Sequence, residues 1–437
     1  MRAALALVLG TILLPCAGAA NGQEGPSAML AGGLIDGTGK AVRKNVVLVI
    51  RGERIAEIRD ATPGDASDAA IRDLRKYFIL PGLIDVHAHL TMSHDPSLDY
   101  GGLSAASAGI LGVIHAKRTL MAGFTTVRDP FGPYYADVAL RDAINRGLLE
   151  GPRMFVSGPG LTMTGGHGAV GNWAPPGVEV RSAADSVVDG ADEIRREVRL
   201  HQKYGVDFIK VIATGGIFTV GSDPGSAAFT REEIEAAVDE ARKRGQRVAA
   251  HAHGTEGIRT AVLAGVHSIE HGSFLDAATA KLMVEHGTFL VPDVYADEYT
   301  LTKGADLGWD PDTLEKARSV SVRFRESVRL AHRAGVPIAF GSDAGVYPHG
   351  ENAGQFALYL DLGLSPLEAI SAATLNAARL IGASQDIGTV EVGKYADLVA
   401  VPSSPLDDIR VLETIPFVMK GGRVVKDETG SRARSPR

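Results

Sequence analysis

The sequence predicts an α/β protein, a (β/α)8 TIM barrel with a small β domain attached, and three observations carry that expectation. Short apolar stretches alternate with amphipathic ones eight times through the middle of the chain. No glycine-rich phosphate loop follows the first of these strands, as an open doubly wound sheet would require. Short β-like pieces punctuated by Gly and Asp occur at both ends of the chain and flank the alternating region.

Residues 1–19 read as a signal peptide. Arg2 supplies the positive start, and the apolar stretch Ala3 to Leu14 is too short to span a bilayer. Ala17-Gly18-Ala19 then offers the small-x-small pattern that a signal peptidase cleaves. The expectation is a periplasmic or secreted protein; the competing reading is a buried core helix. Cys16 is the only cysteine of the 437 residues. Leu13-Leu14-Pro15-Cys16 leaves a lipoprotein open, although proline before the cysteine matches that signal poorly. Cleavage after Ala19 removes the only thiol, and with it any disulfide or thiolate metal ligand.

The β-like pieces Met29 to Ile35, Asn45 to Ile50 and Arg54 to Ile58 form an N-terminal part, residues 27–80. Ala396 to Val401 and Phe417 to Val425 form a C-terminal part, residues 385–430. Pairing of the two gives a small β-sandwich domain in which the chain ends meet. The barrel occupies 81–384. Its strands are expected at Leu80–His89, Phe124–Asp129, Met154–Ser157, Phe208–Ala213, Arg247–Ala252, Ser268–His271, Phe289–Pro292 and Ile338–Asp343. Thr230-Arg231-Glu232-Glu233 is a capping box that opens a helix closed by Gly245. Ser365-Pro366-Leu367-Glu368 opens another, with proline at the first helical position.

Charged residues make up 22% of the chain, with both signs interspersed and a formal net charge of −7. With no basic run or aromatic-basic stripe, nucleic acid is not an expected partner. No apolar run after the leader reaches membrane-spanning length. A small molecule or dipeptide is the expected partner, and a homo-oligomer is compatible with the composition.

The chemistry gathers at strand ends. His87-Ala88-His89 closes the first strand, and side chains two apart share one face, so both imidazoles can reach one metal. Such a pair alone is weak evidence, since solvated surface histidines look the same. His251 closes the fifth strand, His271 the sixth and Asp343 the eighth. Each singly reads as a hydrogen-bonded residue at the mouth; converging on the C-terminal face of one barrel they form a ligand set for zinc or a similar ion. Lys210 lies within the apolar strand Phe208 to Ala213. A charged amine there is costly unless paired or neutralised. A salt bridge or a Schiff-base nucleophile are the alternatives. Beside four histidines the preferred reading is a carbamate, whose two oxygens bridge two metals.

These residues resemble the metal-dependent amidohydrolase superfamily over nearly the whole mature chain. Pro81 to His89 is similar to its opening signature, and Gly123 to Asp129 to its second strand. Phe208 to Gly216, His251 to Gly254, Glu270-His271-Gly272 and Ser342-Asp343-Ala344-Gly345 resemble its binuclear subgroup with a carboxylated lysine. That subgroup includes Xaa-Pro and Xaa-Arg/Lys dipeptidases and ochratoxinases; imidazolonepropionase is more distant. The resemblance implies two divalent ions, Zn2+ by expectation. His87, His89 and Asp343 would hold the first, His251 and His271 the second, with carbamylated Lys210 and a hydroxide between them. His253 is a rival for the place of His251 and otherwise a catalytic contact to substrate. Hydroxide would attack an amide carbonyl while Asp343 shuttles the proton to the departing amine.

Substrate contacts are expected on the loops after the strands. His167, in Gly165-Gly166-His167-Gly168, could bond the tetrahedral intermediate; a plain flexible loop is the other reading. Tyr295 could bind a carboxylate or simply pack at the rim, and His349 is a candidate of the same kind. Arg128 reads as a carboxylate clamp or as a salt bridge with Asp129 or a neighbour. The implied function is release of a C-terminal amino acid from dipeptides or N-acyl amino acids, ochratoxin A-like amides included. The alternatives are a cyclic amidohydrolase opening a lactam or imidazolone ring, and a non-catalytic periplasmic metal- or ligand-binding protein.

Overall fold

The computed structural model describes residues 28–68, 70–93, 104–169, 172, 186–219 and 221–430. The expected leader, with Cys16, lies outside the described residues. The first part of the chain holds strands β1 (Ala28–Leu34), β2 (Arg43–Arg51), β3 (Arg54–Asp60) and β4 (Ile71–Pro81). The middle holds β5 (Leu83–Asp85), β6 (Phe124–Asp129), β7 (Arg153–Val156), β8 (Leu161–Thr162) and β9 (Ser186–Val187). It continues with β10 (Ile209–Ile212), β11 (Val248–Ala252), β12 (Ser268–His271) and β13 (Phe289–Val291). The last strands are β14 (Leu398–Val401), β15 (Phe417–Lys420) and β16 (Arg423–Asp427).

Both ends of the chain share one sheet, in the order β16-β15-β14-β4-β1-β2-β3. Strand alternation gives it two apolar faces. Leu398 and Ala400 join Met29, Ala31, Val46 and Leu48 in one core. Val399 and Val401, between them in sequence, join Leu80, Phe124 and Phe340 in another. The terminal sheet is therefore fastened to the middle of the chain through β14 and β4, which pair antiparallel from Leu398–Pro81 to Val401–Phe78. The sequence analysis missed most of β4, because charged Arg72, Asp73, Arg75 and Lys76 obscure its apolar alternation.

The middle of the chain is mixed α/β, with parallel strands in two arcs: β13-β12-β11-β10-β8-β9 and β5-β6-β7. Backbone bonds join their edges. Asp207 N donates to Val156 O at 2.8 Å, and Val86 N to Phe340 O at 2.8 Å. The stretch Ile338–Asp343, expected as an eighth strand, lies between β13 and β5 but forms no regular strand. It makes a single parallel bridge from Ile338 to Leu290, while Ala344 just beyond bridges to Ala88. Gly341 explains the irregularity. A Cβ there would come within 2.2 Å of Val291 Cγ1 and 2.7 Å of His87 Cβ, so only glycine lets the chain pass this close. Phe417–Val425, expected as one strand, is instead a hairpin of β15 and β16 turning at Gly421 and Gly422, both in the left-handed region.

Helices cover the parallel strands. The Thr230 capping box forms as expected, with Thr230 Oγ1 accepting from Glu233 N and Glu233 accepting from Thr230 N. That helix runs Arg231–Arg242. The Ser365 box opens Pro366–Ser371 in the same way. Among the described residues no helix is long and apolar enough to cross a membrane.

Phe340 is fully buried where the irregular stretch meets the helices, with ring centroids of Phe356, Phe124 and Tyr359 at 4.7, 5.5 and 5.8 Å. Phe340→Ala should lower stability by about 3–5 kcal/mol, read as a lower urea midpoint in the metal-free protein. An unchanged midpoint would show that this junction is not a packed core.

Candidate metal centre

All the strand-end residues singled out above face the same end of the parallel strands; the histidines are buried and Asp343 is partly buried. His87 and His89 follow β5, with His87 1% and His89 7% exposed. Their Nε2 atoms lie 3.5 and 3.0 Å from Asp343 Oδ1. The potential ligand atoms of these three groups fall within 4.8 Å of one another. A second such grouping contains His251 and His271, at the ends of β11 and β12, together with His253. The rings of His251 and His271 are 4.5 Å apart and those of His253 and His271 are stacked at 4.6 Å. The His87 and His271 centroids are 5.1 Å apart, so the two groupings adjoin.

Lys210 rises from β10 beside both. It is 2% exposed, and among the described residues its Nζ has no hydrogen-bond or ion-pair partner. Burial lowers its pKa to about 8, against the pull of Glu270. Burial also holds His87 down at about 3 and His251 and His253 well below the ordinary imidazole value. Those rings are thus neutral and carry the lone pairs a cation needs. His89 differs: burial opposes its charge, but Asp129 and Asp343 lift it to about 9.

A ring of carboxylates holds the imidazoles. Asp293 Oδ2 accepts from His271 Nδ1 at 2.5 Å, and burial pushes the Asp293 pKa up to about 6. Glu270 Oε2 stands 3.1 Å from His87 Nδ1. Arg128 Nη2 donates to both Glu270 oxygens at 2.7 and 2.8 Å, with Ser268 Oγ bonding Oε1 at 2.5 Å. Arg128 is thereby spent inside the protein, paired with Glu270 rather than with Asp129 or a ligand. Asp85 ties the two edges of the site together. It accepts from His87 N, from Ser342 N and Oγ, and from Asn352 Nδ2. Asp129 Oδ1 lies 3.8 Å from His89 Nδ1. Sequence reasoning assigned none of these acids a role. The signal was present, since Asp85 and Asp129 end strands and Asp293 follows one, the placement that drew attention to the histidines. Asp293 even groups with His87 and His271 at ligand spacing; its Oδ2 is committed to His271, while its buried Oδ1 makes no hydrogen bond among the described residues.

Backbone geometry sets two of the residues apart. His271 and Asp343 have φ of 68° and 56°, a left-handed conformation that non-glycine residues adopt at a cost of order 1–3 kcal/mol. Asp343 is held there by its N–H, which donates to His87 O at 2.7 Å.

The remaining candidates divide. His251 Nε2 donates to Gly215 O at 3.1 Å, leaving Nδ1 as its acceptor nitrogen. His253 Nδ1 is hydrogen-bonded with Ser273 Oγ at 2.7 Å, leaving Nε2. Both therefore present an open nitrogen. His167 packs on His251 at 4.6 Å and is fixed by Thr219 Oγ1 at 2.8 Å. Tyr295 is half-buried against Tyr347, with its hydroxyl 3.3 Å from Glu351. His349 is not brought to the cluster face. It stacks on His115 at 4.2 Å, donates through Nε2 to His89 O at 3.1 Å, and pairs through Nδ1 with Thr119. Its Nε2 braces the backbone of His89, and its Nδ1 is held by the Thr119 hydroxyl.

The donor set fits divalent metal. Imidazole and carboxylate groups lie within ligand spacing of one another, three of the rings are held neutral, and outer carboxylates fix their orientation.

The comparisons with known proteins agree with that geometry. A profile described as the amidohydrolase family matches residues 78–425. Ochratoxinase of Aspergillus niger is 33% identical, covering 93% of this chain and 88% of the relative. A crystal structure of a Xaa-Pro dipeptidase with bound methionine in the active site is 37% identical, with a TM-score of 0.86. It covers 91% of this chain and 99% of that one. A prolidase complexed with N-methylphosphonate-L-proline is 33% identical, with a TM-score of 0.84, covering 92% and 99%.

Asp293→Ala should weaken divalent-metal binding about 10–100-fold by freeing the His271 ring. Zinc competition against a chromophoric chelator measures this, and an unchanged affinity would contradict the orienting role.

Proposed function

The chain belongs to the amidohydrolase family, and from that premise we propose that it is a binuclear amide hydrolase. Its proposed reaction is release of a C-terminal amino acid from dipeptides or N-acyl amino acids. The observation that carries this is Lys210, a buried amine with no hydrogen-bond or ion-pair partner among the described residues, whose charge is felt by His87 of one cluster and by His251 and His253 of the other. The relatives named Xaa-Pro dipeptidase and ochratoxinase support an amide as the bond attacked.

In this reading the two parallel arcs close into a (β/α)8 barrel, and the sheet shared by the chain ends is its β-sandwich companion. His87, His89 and Asp343 would hold one divalent ion, zinc by preference, and His251 and His271 the other. Lys210 would serve as a further ligand once its neutral amine has added carbon dioxide and released a proton to give a carbamate, a form its lowered pKa favours. When bound, the ions supply a water acidic enough to ionise near neutral pH and polarise the amide carbonyl.

The chain's own groups do the rest. Asp343 Oδ1, which faces the Nε2 atoms of both His87 and His89, accepts the proton of the attacking water and returns it to the leaving nitrogen. His253 Nε2, open because Nδ1 is held by Ser273, contacts the substrate. His167 is fixed by Thr219 beside His251 to bond the carbonyl oxygen as charge develops there. Tyr295 borders the substrate at the rim. The expected leader makes the enzyme periplasmic or secreted.

The test is hydrolysis of a panel of L-dipeptides, N-acyl amino acids, ochratoxin A and cyclic amides by zinc-reconstituted mature protein, read by mass spectrometry. Chelator-sensitive release of a C-terminal amino acid is expected. Lys210→Ala and Asp343→Asn should each lose about 10²–10⁴-fold or more in kcat/KM with an unchanged circular dichroism spectrum. Full activity in either variant would overturn these roles. Turnover of the cyclic amides alone would move the chain to ring opening, and metal binding without turnover of any substrate would make it a binding protein.

A further inference from the structure

At the opposite end of the parallel strands from the histidine clusters lies a cavity of about 270 Å³. Arg247, His267 and Phe208 line it from the positions just before β11, β12 and β10. Three residues separate Val248 from His251, so at ~3.3 Å per residue the cavity is roughly a strand length from the candidate metal centre. Its size lies just below the roughly 300–1,000 Å³ of sites that take drug-sized ligands. It therefore suits something small.

The polar groups on its wall are unevenly satisfied. Arg128 is committed to Glu270. Asp207, at the rim, is paired with Arg141 at 2.8 Å. Arg247, exposed to solvent on its outer side, has no carboxylate partner among the described residues. Its Nη1 donates to the carbonyls of Arg379 and Leu380, while its Nε and Nη2 have no partner among those residues. His267 Nε2 is buried and makes no hydrogen bond. Burial and the charges of Arg247 and Arg128 hold this ring neutral, with a pKa of about 4, against a hydrogen bond to the Leu380 carbonyl; its single proton serves that carbonyl, which Arg247 also bonds, and a carboxylate would draw it to Nε2 as the other tautomer. Phe155, Phe208, Leu380 and Ile381 supply apolar patches in a wall that is polar over its larger part.

We propose that this cavity is a second ligand site, taking a small organic carboxylate with an apolar tail between Arg247 and His267. One guanidinium with no carboxylate partner among the described residues matches one negative charge. A carboxylate also accepts from both the fork of Arg247 and the single N–H of His267. The apolar patches distinguish this ligand from a bare inorganic anion, which would lose hydration against Phe155 and Phe208 without return. The site is independent of the amide-hydrolase reading, because none of its residues belongs to the metal clusters.

The probe is 4-bromophenylacetate, with the metal-loaded full mature protein. Calorimetry gives its affinity, and bromine anomalous diffraction from soaked crystals gives its position. The expected result is a bromine peak in the cavity and an affinity at least about tenfold weaker in Arg247→Gln and in His267→Leu. The neutral amide analogue and inorganic phosphate should bind at least about tenfold more weakly than the carboxylate. Bromine only at the metal centre, bromine nowhere, or an affinity indifferent to both variants would overturn the site. Equal binding of phosphate or of the amide would overturn the assigned ligand class.

Discussion

Burying an unpartnered lysine amine among imidazoles and carboxylates is the constraint on which this molecule's organisation turns. Such a group is expensive in a low-dielectric interior, and the ordinary remedies are an ion pair or water. Lys210 makes no ion pair among the described residues, and the groups around it are themselves ligands in want of a cation. A protein with only stability to satisfy would replace such a cluster with apolar side chains. Its persistence here, within a scaffold that otherwise packs Val, Ile and Ala along each strand, marks a site built for something that completes it. Two divalent ions and a carbamate would do so, converting the surplus of lone pairs into coordination.

The surrounding structure reads as a consequence of that requirement. Imidazoles must be neutral and correctly turned before they can bind metal, and the acids behind them supply the turning. Asp293 fixes His271, while Glu270 is itself anchored by a fully buried Arg128. Asp85 laces the turn after β5 to the irregular stretch that carries Asp343. Strain at His271 and Asp343 belongs to the same account. Both residues leave strand-like backbone just where their side chains must swing toward the cluster, and hydrogen bonds to neighbouring strands hold the unfavourable φ. The terminal sheet contributes from a distance, clamping the chain through β14 and β4 to the start of β5, four positions before His87.

Much of this was legible in the sequence because the code for it is local. A His-x-His at a strand end, a lone lysine in an apolar strand, and acids or histidines closing later strands can each be read from period-two alternation alone. The capping boxes at Thr230 and Ser365 were legible for the same reason. What escaped depends on contacts between distant segments. Arg128 was read as a ligand clamp or as a partner of Asp129, yet its partner is Glu270, 142 positions away. His349 looked like a mouth residue, but its Nε2 braces the His89 backbone and its Nδ1 pairs with Thr119. The role of Asp293 required knowing where His271 points. The irregular course of Ile338–Asp343 could not be seen either, since it comes from close approach of Gly341 to Val291 and His87, which only the folded arrangement reveals. The hairpin at Gly421-Gly422 was within reach, and two adjacent glycines were reason enough to divide that strand.

The central claim is that Lys210 joins the two histidine clusters into one binuclear centre. The measurement that bears on it most directly is anomalous diffraction at the zinc edge from crystals of the zinc-reconstituted protein grown in bicarbonate. The account predicts two zinc peaks, one beside His87, His89 and Asp343 and one beside His251 and His271, with electron density extending beyond Lys210 Nζ between them. A single peak, or two peaks with an unmodified lysine paired to a carboxylate, would contradict it.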